Sequence, residues 1–211
     1  MHLDHLIYAV GPLGLEAEAA RLESLLQVKS VDGGIHPSFG TRIRLIPLVD
    51  SRHIEIVEVL DHPAAEKVPY GQAVRTRSSM GGGWLGWVIS MDDLSEYEAR
   101  LDRTAVQGVR HFPDGRLLEW QQLGVKGLIA DPQLPFFIRW ISEPSVLPSA
   151  LPASIALDEI QIAGSRERVA EWLGSDVPDV FDHVTITFDS PSGYPGVVSA
   201  TFRTTSGLVR I

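Results

Sequence analysis

LDHLIYAV, residues 3–10, is a short apolar run that reads as a strand. A helical period follows it. In GLEAEAARLESLLQ, from Gly14, the residues Leu15, Ala19, Leu22, Leu25 and Leu26 fall on one face. Gly33-Gly34 breaks the chain. TRIRLIPL (41–48) and HIEIVEVL (53–60) then read as strands joined near Asp50-Ser51. The order is β-α-β-β, with room for a fourth strand.

That order returns twice, from residues 84 and 157. WLGWVIS (84–90) is a strand, and Asp92 or Asp93 caps the helix DDLSEYEARL, whose Leu94, Tyr97 and Leu101 share a face. Pro113-Asp114-Gly115 is a turn signal before the strands LLEWQQLG (117–124) and PFFIRWIS (135–142). LDEIQIAG (157–164) repeats the opening, Ser165 caps RERVAEWLG, and HVTITFDS (183–190) and VVSATFRT (197–204) follow. The Pro/Ser-rich stretch 143–154 reads as a linker, and 61–83 as a longer connection.

The expected fold is α+β, built from repeated βαβββ modules. One module leaves its sheet with a raw edge. Two modules side by side, residues 1–145, curl into a half-barrel sheet with a cleft. A third βαββ(β) module, residues 155–211, extends that barrel or pairs with its copy in a homodimer.

Composition narrows the function. The 211 residues are 44% hydrophobic and 21% charged, which excludes a disordered or fibrous chain. With no cysteine, disulfides, thiolate metal sites and cysteine nucleophiles are excluded, so any metal must be held by His, Asp or Glu. No apolar run reaches the roughly 18 residues of a membrane span, and the N-terminus has no basic region of a signal peptide. A cytoplasmic protein is expected, with no membrane partner. A net charge of −9 argues against nucleic acid and is compatible with a small neutral or cationic ligand.

Several motifs, in order, resemble the vicinal-oxygen-chelate superfamily, and more closely its glyoxalase-like domain branch. They are LDHLIYAV, GGIHPSFGT (33–41), IEIVEV (54–59), SMDDL (90–94), PDGRLLEW (113–120) and LPFFIRW (134–140), covering residues 3 to about 142. The superfamily includes glyoxalase I, extradiol dioxygenases and bleomycin-resistance proteins. In glyoxalase I-like members a divalent metal is held from the first and last strands of two paired modules. The resemblance matches those positions to His5 and Glu55, and to Gly86 and Arg139, neither of which holds a metal. An Asn common in the branch after Gly-Thr is absent, since Thr41-Arg42-Ile43-Arg44 stands there.

The residues carry their own reading. Along HIEIVEVL, His53, Glu55, Val57 and Val59 share one face. A carboxylate in so apolar a strand needs a cation, a metal, a proton or exposure. Arg139 is the candidate ion-pair partner, at the pseudo-symmetric position; alternatively Arg139 binds a substrate carboxylate bidentately. His5 shares a face with Leu3, Ile7 and Ala9. His5, His53 and Glu55 would form a two-histidine-one-carboxylate set suited to one divalent metal (Zn, Fe, Mn or Ni); a metal-free site is the alternative. Glu55 and His36 are the candidate catalytic residues, His36 being held extended by Pro37. Arg139, Trp84, Arg44 and Trp120 are the candidate substrate-binding residues. Gly86 leaves a hole, so a cleft lined by Trp84, His5, His36, Glu55 and Arg139 is expected. The MGGGW stretch precedes a strand and is no phosphate loop.

The expected function is action on a small metabolite in that cleft, with one divalent metal or Glu/His acid–base chemistry. Such an enzyme would be a lyase, isomerase or oxygenase of the vicinal-oxygen-chelate type. The alternatives are a metal-free protein that sequesters a small molecule, and a non-catalytic scaffold.

Overall fold

A computed structural model describes residues 1–111, 116–189 and 194–211. The Pro113-Asp114-Gly115 turn lies outside them. The first module is β1 (His2–Ala9), α1 (Gly14–Leu26), β2 (Val31–His36), β3 (Thr41–Leu48) and β4 (Arg52–Val59). The connection after it is helical, with α2 (Pro63–Lys67) and α3 (Pro69–Ser79). The second module is β5 (Gly83–Ser90), α4 (Ser95–Leu101), β6 (Val106–His111), β7 (Leu117–Leu123), the turn α5 (Gly127–Ala130) and β8 (Phe136–Trp140). The expected βαβββ order is present in both.

These strands form one eight-stranded sheet in the order β2-β3-β4-β1-β5-β8-β7-β6. Within each module the first and last strands are parallel, β1 with β4 and β5 with β8. The modules join through the antiparallel pair β1–β5. Strong curvature brings the edge strands β2 and β6 together, so the sheet is a nearly closed barrel. Gly33-Gly34 does not break the chain. It lies inside β2 at a bulge, where Gly34 has φ +82° and a Cβ on Gly33 would meet Ile43 at 2.3 Å.

Two further bulges decide which residues face inward. Leu3 pairs with Ile89 and His5 with Val88, so Asp4 is an extra residue in β1. Ile7 pairs with Gly86 and Tyr8 with Trp84, so Leu85 is an extra residue in β5. Past each bulge the strict alternation slips by one. Leu3 therefore joins the outer core, whereas Ile7 and Ala9 join the inner one. Trp84 faces outward as well, away from the side of Gly86.

The third module repeats this construction. It comprises β9 (Ala156–Ala163), α6 (Arg166–Leu173), β10 (Val180–Phe181), β11 (Val184–Asp189), β12 (Gly196–Thr204) and β13 (Gly207–Arg210). Its sheet has the order β10-β11-β9-β12-β13. As β4 is to β1, β11 is parallel to β9; as β5 is to β1, β12 is antiparallel to β9. Both bulges recur, with Asp158 extra in β9 and Val198 extra in β12. The module neither extends the first barrel nor closes its own. Its sheet is separate and packs on the outside of the first.

The outer core holds the two sheets together. It runs from α1 (Leu15, Leu22, Leu26) across the outer face of the barrel to Ile160, Ile186 and Phe202 of the third module. Trp84 stacks on Phe202 at 6.2 Å and its indole N–H donates to the Ile211 carbonyl at 2.9 Å. Arg52, fully buried, forms an ion pair with Asp182 at 3.0 Å and donates to its carbonyl. Ser165 caps α6 as expected, accepting from the Arg168 N–H. For the second helix Asp93 accepts from the Ser95 N–H.

Candidate active site inside the barrel

The inner core encloses a cavity with both apolar and polar walls. Ile43, Leu45, Leu118, Phe136 and Ile138 line a space of about 40 Å³ into which His5, His36, His53, Glu55, Arg110 and Gln122 also face. This room holds an ion or a water or two. α3 closes one side with Tyr70, and Pro148, from the linker after β8, lines the cavity too. That linker forms two short 3-10 turns, 144–146 and 148–150, of which the second packs against β3 and β4.

The parallel β1–β4 register sets the central pair. His5 stands opposite His53 and Ile7 opposite Glu55. The His5 and His53 rings stack with centres 4.5 Å apart. The Asp4 bulge puts its carboxylate on the same side as His5. The His5 Nδ1–H donates to Asp4 Oδ1 at 2.6 Å, and the Trp140 indole N–H donates to Asp4 Oδ2 at 2.9 Å. Burial works to raise the Asp4 carboxyl, but the His5 hydrogen bond, the His5 and His53 charges and the Trp140 N–H together bring it down to about 2. An ionised carboxylate only accepts hydrogen bonds. The His5 proton therefore sits on Nδ1, and Nε2 keeps its lone pair when the ring is neutral.

Glu55 is the second buried carboxylate. Tyr70 donates its hydroxyl to Glu55 Oε1. Burial first, then the Glu55 charge and this hydrogen bond, hold the Tyr70 phenol well above its usual range, so it remains a donor. His36 is buried against Trp120 at 5.5 Å and Phe39 at 6.0 Å. Burial lowers His36 to about 4 and His53 to about 3, so both are neutral near pH 7. The Nδ1 atoms of both rings are buried without a hydrogen-bond partner.

The cavity thus brings together five of the residues expected from sequence: His5, His36, His53, Glu55 and Trp120. Three others face elsewhere. Arg139 is on the outer side of β8, where it donates to Gln121 Oε1 at 3.3 Å, so it neither pairs with Glu55 nor reaches the cavity. Arg44 is on the outer side of β3, bonded to Ser30 Oγ at 2.7 Å. Trp84 belongs to the junction with the third module. The register also moves the pseudo-symmetric match of Glu55. Val88 pairs with Phe136 as Ile7 pairs with Glu55, so Phe136 occupies that position and not Arg139. The hole expected at Gly86 is filled by Leu128, whose Cδ2 lies 2.5 Å from where a Cβ would stand.

Asp4, Tyr70, Arg110 and Gln122 are the site residues that strand alternation missed. Asp4 was hidden by the bulge, although the shared Leu-Asp of LDH (3–5) and LDE (157–159) marks the same bulge in two modules. Tyr70 comes from a connection that showed no strand or helix period.

Among the described residues one group could hold a metal ion: ligand atoms of Asp4, His5 and His53 lie within 4.8 Å of one another. Two histidines and one carboxylate suit divalent Zn, Fe, Mn or Ni, and the orphaned His53 Nδ1 is an open donor. The donor set fits such an ion, with Asp4 in place of the expected Glu55. No helix among the described residues is long and apolar enough to cross a membrane.

The whole chain has a structural counterpart. A hypothetical protein from Staphylococcus aureus superposes with a TM-score of 0.72 at 14% identity, over 99% of this chain and 98% of that one. The arrangement of three modules is therefore a shared fold. The methylmalonyl-CoA epimerase of Mycobacterium tuberculosis is 17% identical over 69% of this chain and 90% of its own, with a TM-score of 0.43. No curated protein matches the chain. The model of the Glyoxalase-like domain family matches residues 3–177, across both barrel modules and into the third. The chain belongs to the glyoxalase-like domain family.

Proposed function

We propose that the protein is a proton-transfer enzyme acting on a small carbonyl metabolite whose reacting end enters the barrel. One observation carries this reading. Two buried carboxylates, each already oriented by a hydrogen bond, bring a basic atom to one cavity: Asp4 through His5, and Glu55 beside Tyr70. A carboxylate-held imidazole is the arrangement by which a base keeps a fixed tautomer.

The step balances within the chain. Glu55, or His5 Nε2, takes a proton from the carbon next to the carbonyl. The C–H electron pair moves onto the carbonyl oxygen as an enolate. Arg110, buried and facing the cavity, offers positive charge to that oxygen. The opposite group, entering the step protonated, gives its own proton to the other face of the enolate carbon, which yields the epimer. The first base keeps the abstracted proton, and exchange with solvent resets the pair. Neutral His36 donates or accepts one hydrogen bond.

The test is solvent exchange. A panel of small 2-hydroxy and 2-keto acids and aldehydes is incubated with the protein in D2O and followed by NMR. Deuterium appears at one carbon next to a carbonyl, and Glu55→Gln slows this at least about a hundredfold. Exchange by the native protein no faster than by Glu55→Gln, across the panel, overturns the reading.

A second reading rests on the convergence of Asp4, His5 and His53. If a divalent ion is held there, it would polarise the carbonyl as a Lewis acid. Elemental analysis of untagged protein separates the two: about one equivalent supports the metal site, and metal-free protein that retains exchange leaves proton transfer to the side chains.

A further inference from the structure

The inner cavity is too small for a whole metabolite, and the remainder must lie outside it. A second cavity of about 350 Å³ adjoins it. Phe39, Tyr70 and Gln122 line both, so they are the partition between the two spaces. The outer space is of the size that small-molecule sites have. Its floor and sides are mostly apolar, and include Val68, Val106 and Val125.

Two cations also line this outer space, Arg103 and Lys126. The second is one of only three lysines in a chain of net charge −9. Both are exposed. Among the described residues neither has a carboxylate partner within salt-bridge distance, whereas Arg21, Arg42, Arg44, Arg52, Arg166, Arg168 and Arg203 each have one. The Arg103 guanidinium lies over the Trp172 ring at 5.6 Å, which fixes its position without neutralising it. An apolar vestibule with two unneutralised cations, opening onto a pair of buried bases, is complementary to one ligand class.

We infer that the substrate is an anionic carbonyl compound, its carboxylate or phosphate held by Arg103 and Lys126 in the vestibule and its carbonyl end passing Tyr70 toward Glu55. This rests on the proton-transfer reading for the role of the inner end, whereas the anion preference of the vestibule stands apart from it. The arrangement orders the substrate. The inner cavity, about 40 Å³, has room only for the small carbonyl end, so the charged end stays in the vestibule with Arg103 and Lys126. Tyr70 has two duties here, as donor to Glu55 and as partition, so ligand entry and release of Glu55 are one event.

The test uses the full chain and simple probes: 3-phenylpropionate, 2-phenylethyl phosphate and the neutral 3-phenylpropanamide, each titrated calorimetrically. At least one anion binds about tenfold tighter than the amide, and the tighter anion identifies the head group. Lys126→Gln, at an exposed position, weakens that anion by about three- to tenfold and leaves the amide unchanged. Arg103→Gln does the same, and raising the salt concentration weakens only the anions. Equal affinities for anion and amide, no binding of any probe, or an anion preference untouched in the double variant overturns the inference. Glu55→Gln retains the anion preference. A chain that prefers anions but exchanges no proton therefore fails the functional reading alone.

Discussion

The imidazole of His5 lies face to face with that of His53, ring centres 4.5 Å apart and 24° from parallel. The two are Cα partners in the parallel pair β1–β4, so the backbone register itself enforces the stack. Two stacked, buried imidazoles cannot both carry charge cheaply. His53 gives way: burial, then the neighbouring His5 charge, lowers it to about 3, whereas Asp4 holds the proton of His5 on Nδ1.

Acid should destabilise this protein earlier than its carboxylates alone would. His36 and His53 titrate near 4 and 3 when folded and near 6.5 when unfolded. Between those values the unfolded chain takes up protons that the folded one refuses. Stability is therefore full above about pH 6.5 and falls as pH drops, by roughly 2–3 kcal/mol per pH unit at its steepest. Asp4, lowered to about 2 from 3.8, adds a further loss below pH 4. Urea midpoints at pH 7 and pH 5 measure the effect. His53→Asn should remove about one proton from the slope; equal stability at the two pH values would contradict buried neutral histidines.

Tyr70→Phe removes the hydroxyl that donates to Glu55 while keeping the ring against Phe39. A buried carboxylate left without this donor costs about 1–3 kcal/mol. The loss should appear at pH 7 in denaturant titrations. A variant as stable as the native protein would mean that Tyr70 acts only through packing.

Gly108 underlies one wall of the site. A Cβ there would lie 2.2–2.5 Å from the Trp120 indole, a rigid ring that also contacts His36 and bonds Gln122. Gly108→Ala should push the indole into the cavity, shift the tryptophan emission and cost about 1–3 kcal/mol. An unchanged spectrum and stability would show that the ring has room to retreat.

The junction with the third module depends on Trp84. Trp84→Ala removes its stack on Phe202 and its bond to the Ile211 carbonyl, at a cost of about 3–5 kcal/mol. Hydrogen exchange should rise first in β12 and β13, before β3 and β4. A uniform rise over both sheets would make the two one cooperative unit.

The repeat was legible in the sequence because each module opens with an apolar strand and an amphipathic helix, signals that depend on local period alone. The inward set was legible only where strands are regular. In β4 alternation works, and His53 and Glu55 both reach the cavity. In β1 and β5 one extra residue each, Asp4 and Leu85, shifts the count. That shift sent Leu3 and Trp84 to the wrong face and concealed Asp4. Arg139 differs for a related reason: motif spacing equates it with Glu55, whereas strand pairing equates Phe136 with Glu55. Tyr70 depends on how α3 packs, a tertiary fact that no period encodes.

Asp4→Asn tests the heart of the site with little change of shape. Trp140 can only donate its indole N–H, so the amide oxygen of the new side chain must face it. The amide nitrogen then faces His5 Nδ1 and donates to it. His5 is forced to accept at Nδ1 and to carry its proton on Nε2, the atom that should serve as base. The fold should persist, since both hydrogen bonds are kept with their sense reversed at His5. Nitrogen-15 NMR reads the tautomer directly and should report the switch from Nδ1–H to Nε2–H. Proton exchange routed through His5 should fall by about a thousandfold or more. If the tautomer switches and exchange does not fall, His5 is a structural support and Glu55 carries the chemistry alone.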